Sequence, residues 1–111
     1  MILDFSKMEV TVLKNFKGGA KEMFVKMFAD DKNKIMLSVL KPGASIGYHK
    51  HENNCEIIFM IKGNAMVNYD NETLRLNNGQ AFYCPMGHSH DLVNDTEDEI
   101  MFFAVVPELA Q

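Results

Sequence analysis

The chain is poor in arginine: Arg75 is the only one among eleven basic residues, and no basic run occurs anywhere. A net charge of −4 is spread thinly over 111 residues. A nucleic-acid or anionic-membrane surface needs clustered Lys and Arg, so neither partner is expected. No apolar stretch approaches the roughly 20 residues of a membrane helix. The N-terminus, with Asp4 and Lys7 close behind Met1-Ile2-Leu3, lacks the charged-then-apolar layout of a secretion signal. Two cysteines, Cys55 and Cys84, are too few for a disulfide framework, so a reduced, cytoplasmic protein is expected. Helical 3.6-residue periodicity is sustained nowhere, which excludes a helix bundle.

What the chain does contain is short apolar runs broken by turn chemistry. Its length suits one domain, residues 1–111, and an apolar share of 47% is enough for a packed core. Strands are expected at Val10–Phe16, Met23–Phe28, Ile35–Leu40, Cys55–Ile61, Ala65–Tyr69, Thr73–Leu76, Ala81–Cys84 and Ile100–Val106. Between them lie Lys17-Gly18-Gly19, Asp30-Asp31-Lys32-Asn33, Pro42-Gly43, Lys62-Gly63-Asn64, Asp70-Asn71-Glu72 and Asn77-Asn78-Gly79, all turn-prone. The pattern predicts an all-β sandwich or barrel. Ile57–Ile61 and Ile100–Val106 are apolar on both faces, whereas a strand with one wet face alternates. Either the single chain closes over both faces or a second subunit covers one. A homodimer contact through Ile57, Phe59 and Ile61, on the face opposite Glu56, is the expectation.

The chemistry concentrates in the histidines. His49 and His51 lie two apart on an extended segment, so their rings project to one face. A polar turn, Glu52-Asn53-Asn54, then leads to Glu56, which a hairpin would carry back opposite the two rings. His90 stands far along the chain, after Pro85-Met86-Gly87. Three imidazoles and a carboxylate suit Mn, Fe, Co, Ni, Cu or Zn. A His-x-His pair on a strand is also commonly just two surface residues, and the spacing does not show that the segments meet.

The segment Gly43-Ala-Ser-Ile-Gly-Tyr-His49-Lys-His51-Glu-Asn-Asn-Cys-Glu56-Ile-Ile-Phe-Met-Ile-Lys-Gly63 resembles the first cupin motif, G-x5-H-x-H-x4-E-x6-G, at every fixed position. Gly79-Gln-Ala-Phe-Tyr-Cys-Pro85-Met-Gly87-His-Ser-His90-Asp-Leu-Val-Asn94 resembles the second, G-x5-P-x-G-x2-H-x3-N, equally completely. The resemblance implies a small single-domain cupin: a double-stranded β-helix, or jelly-roll barrel, with one divalent transition-metal ion on His49, His51, Glu56 and His90.

By simple alternation Ser45 and Gly47 share the inward face with His49 and His51, while Tyr48 and Lys50 point away. Ile58 and Met60 share Glu56's face, and Leu92 shares that of His90. His88 is either a solvated turn residue or a partner for a ligand ring. Arg75 either neutralises an anionic substrate or marks a wet strand face, and nine methionines suggest an adaptable core. No catalytic residue beyond the metal ligands is identifiable. The functions this predicts are a metal-dependent isomerase or lyase acting on a small oxygenated molecule, an iron-dependent dioxygenase, or a non-catalytic small-ligand binder. Open metal positions favour the first two, and the absence of a second cofactor motif favours metal chemistry without O₂.

Overall fold

Turn residues divide the chain into ten strands, and the computed structural model, which describes residues 1–109, assembles them into two antiparallel sheets. The strands are β1 (Thr11–Lys14), β2 (Glu22–Ala29), β3 (Asn33–Leu40), β4 (Ser45–Lys50), β5 (Glu56–Lys62), β6 (Ala65–Tyr69), β7 (Glu72–Leu76), β8 (Ala81–Cys84), β9 (Ser89–Val93) and β10 (Ile100–Pro107). The larger sheet runs β1-β2-β3-β10-β5-β8 and the smaller β4-β9-β6-β7. This is the jelly-roll barrel expected from the motifs, with no α-helix among the described residues. β9 has no counterpart among the strands expected above, because Gly87-His-Ser-His reads as turn. The first strand is shorter than expected, giving way to a 3-10 turn at Phe16–Gly18.

Local chemistry sets the connections. Between β2 and β3, Asp30 Oδ1 accepts the N–H groups of Lys32 (2.9 Å) and Asn33 (2.8 Å), the side-chain mimic of a backbone turn. The acidic loop before β10 is organised by Asn94, fully buried, whose amide donates to the carbonyls of Leu40 (2.9 Å) and Asp98 (2.8 Å). Its Oδ1 accepts the Thr96 N–H at 3.0 Å, so no hydrogen-bonding capacity of this buried amide is stranded.

Period-two alternation places one core between the sheets. β10 buries Ile100, Phe102, Ala104 and Val106, and β5 buries Ile58 and Met60. Ile46, Val67 and Leu92 meet them from the smaller sheet. Each fully buried side chain of this size contributes roughly 1.5–3 kcal/mol. The outer face of the larger sheet is also apolar, but only half covered. Phe5 packs edge-on against Phe103 of β10, ring centroids 5.9 Å apart. Ile57, Phe59 and Ile61 of β5 each keep about two-fifths of their surface exposed.

Candidate metal centre

Four elements deliver four side chains to one point inside the barrel. His49 lies on β4, His51 in the segment after it, Glu56 opens β5, and His90 lies on β9. His49 and His90 are direct cross-strand partners, so their rings stand on one face of the smaller sheet. Glu56 comes from the other sheet. The expected hairpin does not form: β4 pairs with β9, β5 pairs with β10 and β8, and residues 51–55 cross between sheets. The carboxylate meets the imidazoles across the sandwich, not along a ladder.

Each imidazole has its outer nitrogen engaged by an acceptor. His49 Nδ1–H donates to the Gly47 carbonyl (2.7 Å), His51 Nδ1–H to Asn54 Oδ1 (2.5 Å) and His90 Nδ1–H to the Asp91 carbonyl (3.2 Å). These bonds assign the tautomer and leave every Nε2 as an inward lone pair. His51 Nε2 lies 3.1 Å from both Glu56 Oε1 and His90 Nε2, and His90 Nε2 lies 2.9 Å from the same oxygen. One atom from each of the four residues lies within 4.8 Å of the others. Two ligands opposite each other at ~2.1 Å from an ion stand ~4.2 Å apart, so a small contraction completes the shell. Acceptors facing acceptors in a buried site are stable only around protons or a cation. The residues present therefore fit a divalent transition metal.

The electrostatics follow the same logic. With protons in place of a cation on the inward nitrogens, burial pushes the Glu56 carboxyl up, but the hydrogen bonds it then accepts from His51 and His90 outweigh burial and hold its pKa down to about 2. Burial lowers His51, yet Glu56 and Asn54 carry it above the ordinary histidine value. Burial wins at His49, which is lowered.

A backbone irregularity in β4 decides what else faces the site. The β4–β9 register shifts between Ile46 and His49, so alternation does not carry through Gly47 and Tyr48. Ile46, not Ser45 or Gly47, lines the cavity beside His49. Ser45 Oγ instead accepts the Ala20 N–H at 2.8 Å. Gly47 serves a close backbone contact instead. A Cβ there would sit 2.0 Å from the Lys17 carbonyl oxygen, and one on Gly19 would sit 2.1 Å from the Ser45 carbonyl oxygen. Two glycines let the 16–19 turn lie backbone against backbone on β4. Lys17, held at φ +56°, thereby reaches the cavity rim. Ile58, Met60 and Leu92 occupy the faces expected of them but are sealed in the core, not in the cavity.

The cavity above the cluster holds about 370 Å³. Its walls include Met23, Met27, Met36, Ile46, Phe102 and Ala104, so the methionines serve both core and cavity. Lys17, Lys34, Lys50, Glu52 and Glu108 stand at the cavity and are all exposed. Ser38 is also in the lining, 1% exposed, and among the described residues its Oγ is the one buried side-chain polar atom without a hydrogen-bond partner. An unmet buried hydroxyl costs roughly 1–3 kcal/mol.

The remaining sequence candidates have other duties. His88 makes no hydrogen bond to the ligand rings. Its Nδ1 pairs with Asp70 Oδ2 at 2.6 Å, while its carbonyl accepts the His51 N–H at 2.9 Å. Asp70 Oδ1 also accepts the Ser89 N–H at 3.0 Å, clamping the turn before His90. Arg75 forks onto Asp95, both contacts 2.7 Å, on the smaller sheet's edge strand, and takes no part in the cavity. Sequence reasoning missed Asn54, Lys17 and Ser38. Only Asn54, three residues after a ligand histidine in a polar turn, carried a readable signal.

Comparison with known proteins agrees with this geometry. A Thermotoga maritima protein named "oxalate-binding protein" is 25% identical over 112 aligned residues, 96% of this chain and 93% of the relative. The crystal structure of a "predicted oxalate decarboxylase" from Thermotoga maritima superposes with a TM-score of 0.91 at 24% identity, covering 98% of this chain and all of the other. The polyketide cyclase RemF from Streptomyces resistomycificus shares the fold at a TM-score of 0.80 and 19% identity, over 96% of this chain and 78% of its own. The family model described as the cupin domain matches residues 36–106, a span that contains both motifs and all four converging side chains. This chain belongs to the cupin domain family.

Proposed function

We propose that this chain is one cupin domain in which His49, His51, Glu56 and His90 hold a single divalent transition-metal ion and present it to a small oxygenated acid of the oxalate class. The reaction is of the lyase or isomerase type and needs no O₂. The observation that carries this reading is the convergence of three imidazole lone pairs and a carboxylate oxygen within 4.8 Å, beside a cavity whose walls combine apolar and charged side chains. Such an ion, when bound, supplies Lewis-acid polarisation of carboxylate or carbonyl oxygens through the positions the protein leaves open. The protein's own residues do the rest. Ile46 and Phe102 exclude water from the walls. The three ammonium groups at the cavity balance its three carboxylates, Glu56 among them, so the bound ion would supply the net positive charge that favours an anion.

Beyond the four site residues, every titratable side chain of the cavity is exposed, and no buried acid or base stands ready for proton transfer. That observation favours one second reading, capture of the acid without turnover, which is also what the name of the Thermotoga maritima relative describes. The test is titration calorimetry of oxalate into protein loaded with Mn, Fe, Co, Ni or Zn, followed by anaerobic assay of oxalate, uronates, keto-sugars and diketones. Binding with anaerobic turnover supports the enzyme, and binding alone supports the carrier. Activity only with iron and air, with gas oxygen incorporated, overturns both in favour of a dioxygenase.

The apolar outer face of the larger sheet supports a homodimer through Ile57, Phe59 and Ile61. Light scattering at micromolar concentration is expected to give twice 12.6 kDa, and Phe59→Lys to return it toward the single-chain mass. The two free, buried thiols suit a reducing, cytoplasmic location.

A further inference from the structure

The cavity is larger than oxalate. A volume of about 370 Å³ falls in the ~300–1,000 Å³ range of pockets that enclose whole drug-sized molecules, while oxalate is only a chelating head. Beyond the metal cluster lies an apolar length walled by Met23, Met36, Ile46 and Phe102, which offers nothing to a small dianion. On that wall stands Ser38, whose hydroxyl has no partner in the protein. Ser38 pairs across the sheet with Phe102, and Phe102 pairs in turn with Met60 of β5. Glu56 lies four residues earlier on β5, so Ser38 sits deeper along the larger sheet than the metal cluster and two strands across from it. Met36, two positions before Ser38 on the same inward face, is unbranched and repacks easily, so a ligand can part the wall to reach the hydroxyl.

We infer that the natural ligand is an amphipathic acid: a chelating carboxylate head for the metal, a short aliphatic or aromatic body for the methionine-lined wall, and a distal polar group that hydrogen-bonds Ser38. This rests on the proposed capture of an acid at the metal and adds that the acid has a tail. Ser38 is then a specificity-determining residue. A buried hydroxyl that waits for a partner discriminates against ligands lacking one, over and above the selection by length that an apolar wall makes.

The test uses the metal-loaded protein and a series of 2-oxo acids of about three to eight carbons, each plain or with a terminal hydroxyl, with oxalate as the control for the metal. Affinity is expected to rise by about tenfold along the plain series, as buried methylenes accumulate. A terminal hydroxyl at the optimal length is expected to add about another tenfold. Ser38→Ala abolishes that second gain, leaves oxalate binding unchanged, and leaves the ligand-free melting temperature equal or higher, because an unmet hydroxyl has been removed. If oxalate binds but the longer acids bind no better than the shortest, or if Ser38→Ala preserves the hydroxyl gain, the inference is overturned and the metal reading stands. If no acid binds, oxalate included, both fall together.

Discussion

Two histidine–carboxylate constellations are built on His88 and His90, two residues apart where the chain enters β9, and they behave as opposites. His90 is wholly buried, shares Glu56 Oε1 with His51, and lies across the β4–β9 ladder from His49. His88 pairs with Asp70 at a similar distance, but its ring is 44% exposed and it has no second imidazole partner. The residue types and the separations are nearly the same. What differs is convergence from several strands and exclusion of water. A surface His–Asp pair is screened and contributes little. The buried cluster, with its outer nitrogens all satisfied and its inner ones all facing one point, is arranged for a cation.

Breaking either constellation separates the two. The largest effect is expected from His49→Ala, His51→Ala or His90→Ala, each of which should lose most bound metal by elemental analysis while far-UV circular dichroism stays that of the barrel. The core that closes the sandwich does not depend on the ion, unlike that of a zinc finger. Next comes Asn54→Ala. It leaves all four ligands in place but frees His51 Nδ1, and should weaken metal affinity by roughly 10–100-fold in a competition titration with a chelator. A retained wild-type affinity would show that Asn54 only bridges to Glu108, its other partner at 3.2 Å.

Acid sharpens the same contrast. Imidazole must be neutral to coordinate, and Glu56 and Asn54 raise His51 above its ordinary value, so metal should leave as pH falls through the histidine range, with His51 the first ligand to take up a proton. In the metal-free protein the sign is set by Glu56. Its folded pKa, about 2 against an ordinary 4.5, means its contribution to stability is complete above pH 4.5 and is lost as pH falls toward 2. Glu56→Gln should flatten that part of an acid melting series. The smallest effect is expected from His88→Ala, below about threefold in metal affinity, because its ring hydrogen-bonds to the exposed Asp70 and the half-buried Tyr69 and to none of the four site residues.

Much of this was legible in the sequence, for definite reasons. An all-β sandwich or barrel follows from short apolar runs between Gly, Asn and Asp clusters, whereas the jelly roll and the gathering of His49, His51, Glu56 and His90 were implied only by the resemblance to the cupin motifs. The doubly apolar β5 and β10 were legible as strands with a second face needing cover. What could not be read is what arises between segments distant in the chain. The irregular step at Gly47–Tyr48 reverses the parity that alternation assigns to Ser45 and Ile46, and it lies where the 16–19 turn packs backbone against β4. Glu56 reaches the histidines by a crossing between sheets, which no period-two pattern distinguishes from a hairpin. Ser38 in a strand of Ile, Met, Leu and Val looks like an ordinary tolerated serine, and only the packed barrel shows that nothing bonds to it.

The most direct test is metal content per chain, by elemental analysis of protein purified without chelator, for the wild type, His90→Ala and His88→Ala side by side. The account predicts close to one transition-metal ion per chain in the wild type and in His88→Ala, and almost none in His90→Ala. Equal metal in all three, or loss in His88→Ala with retention in His90→Ala, would contradict it.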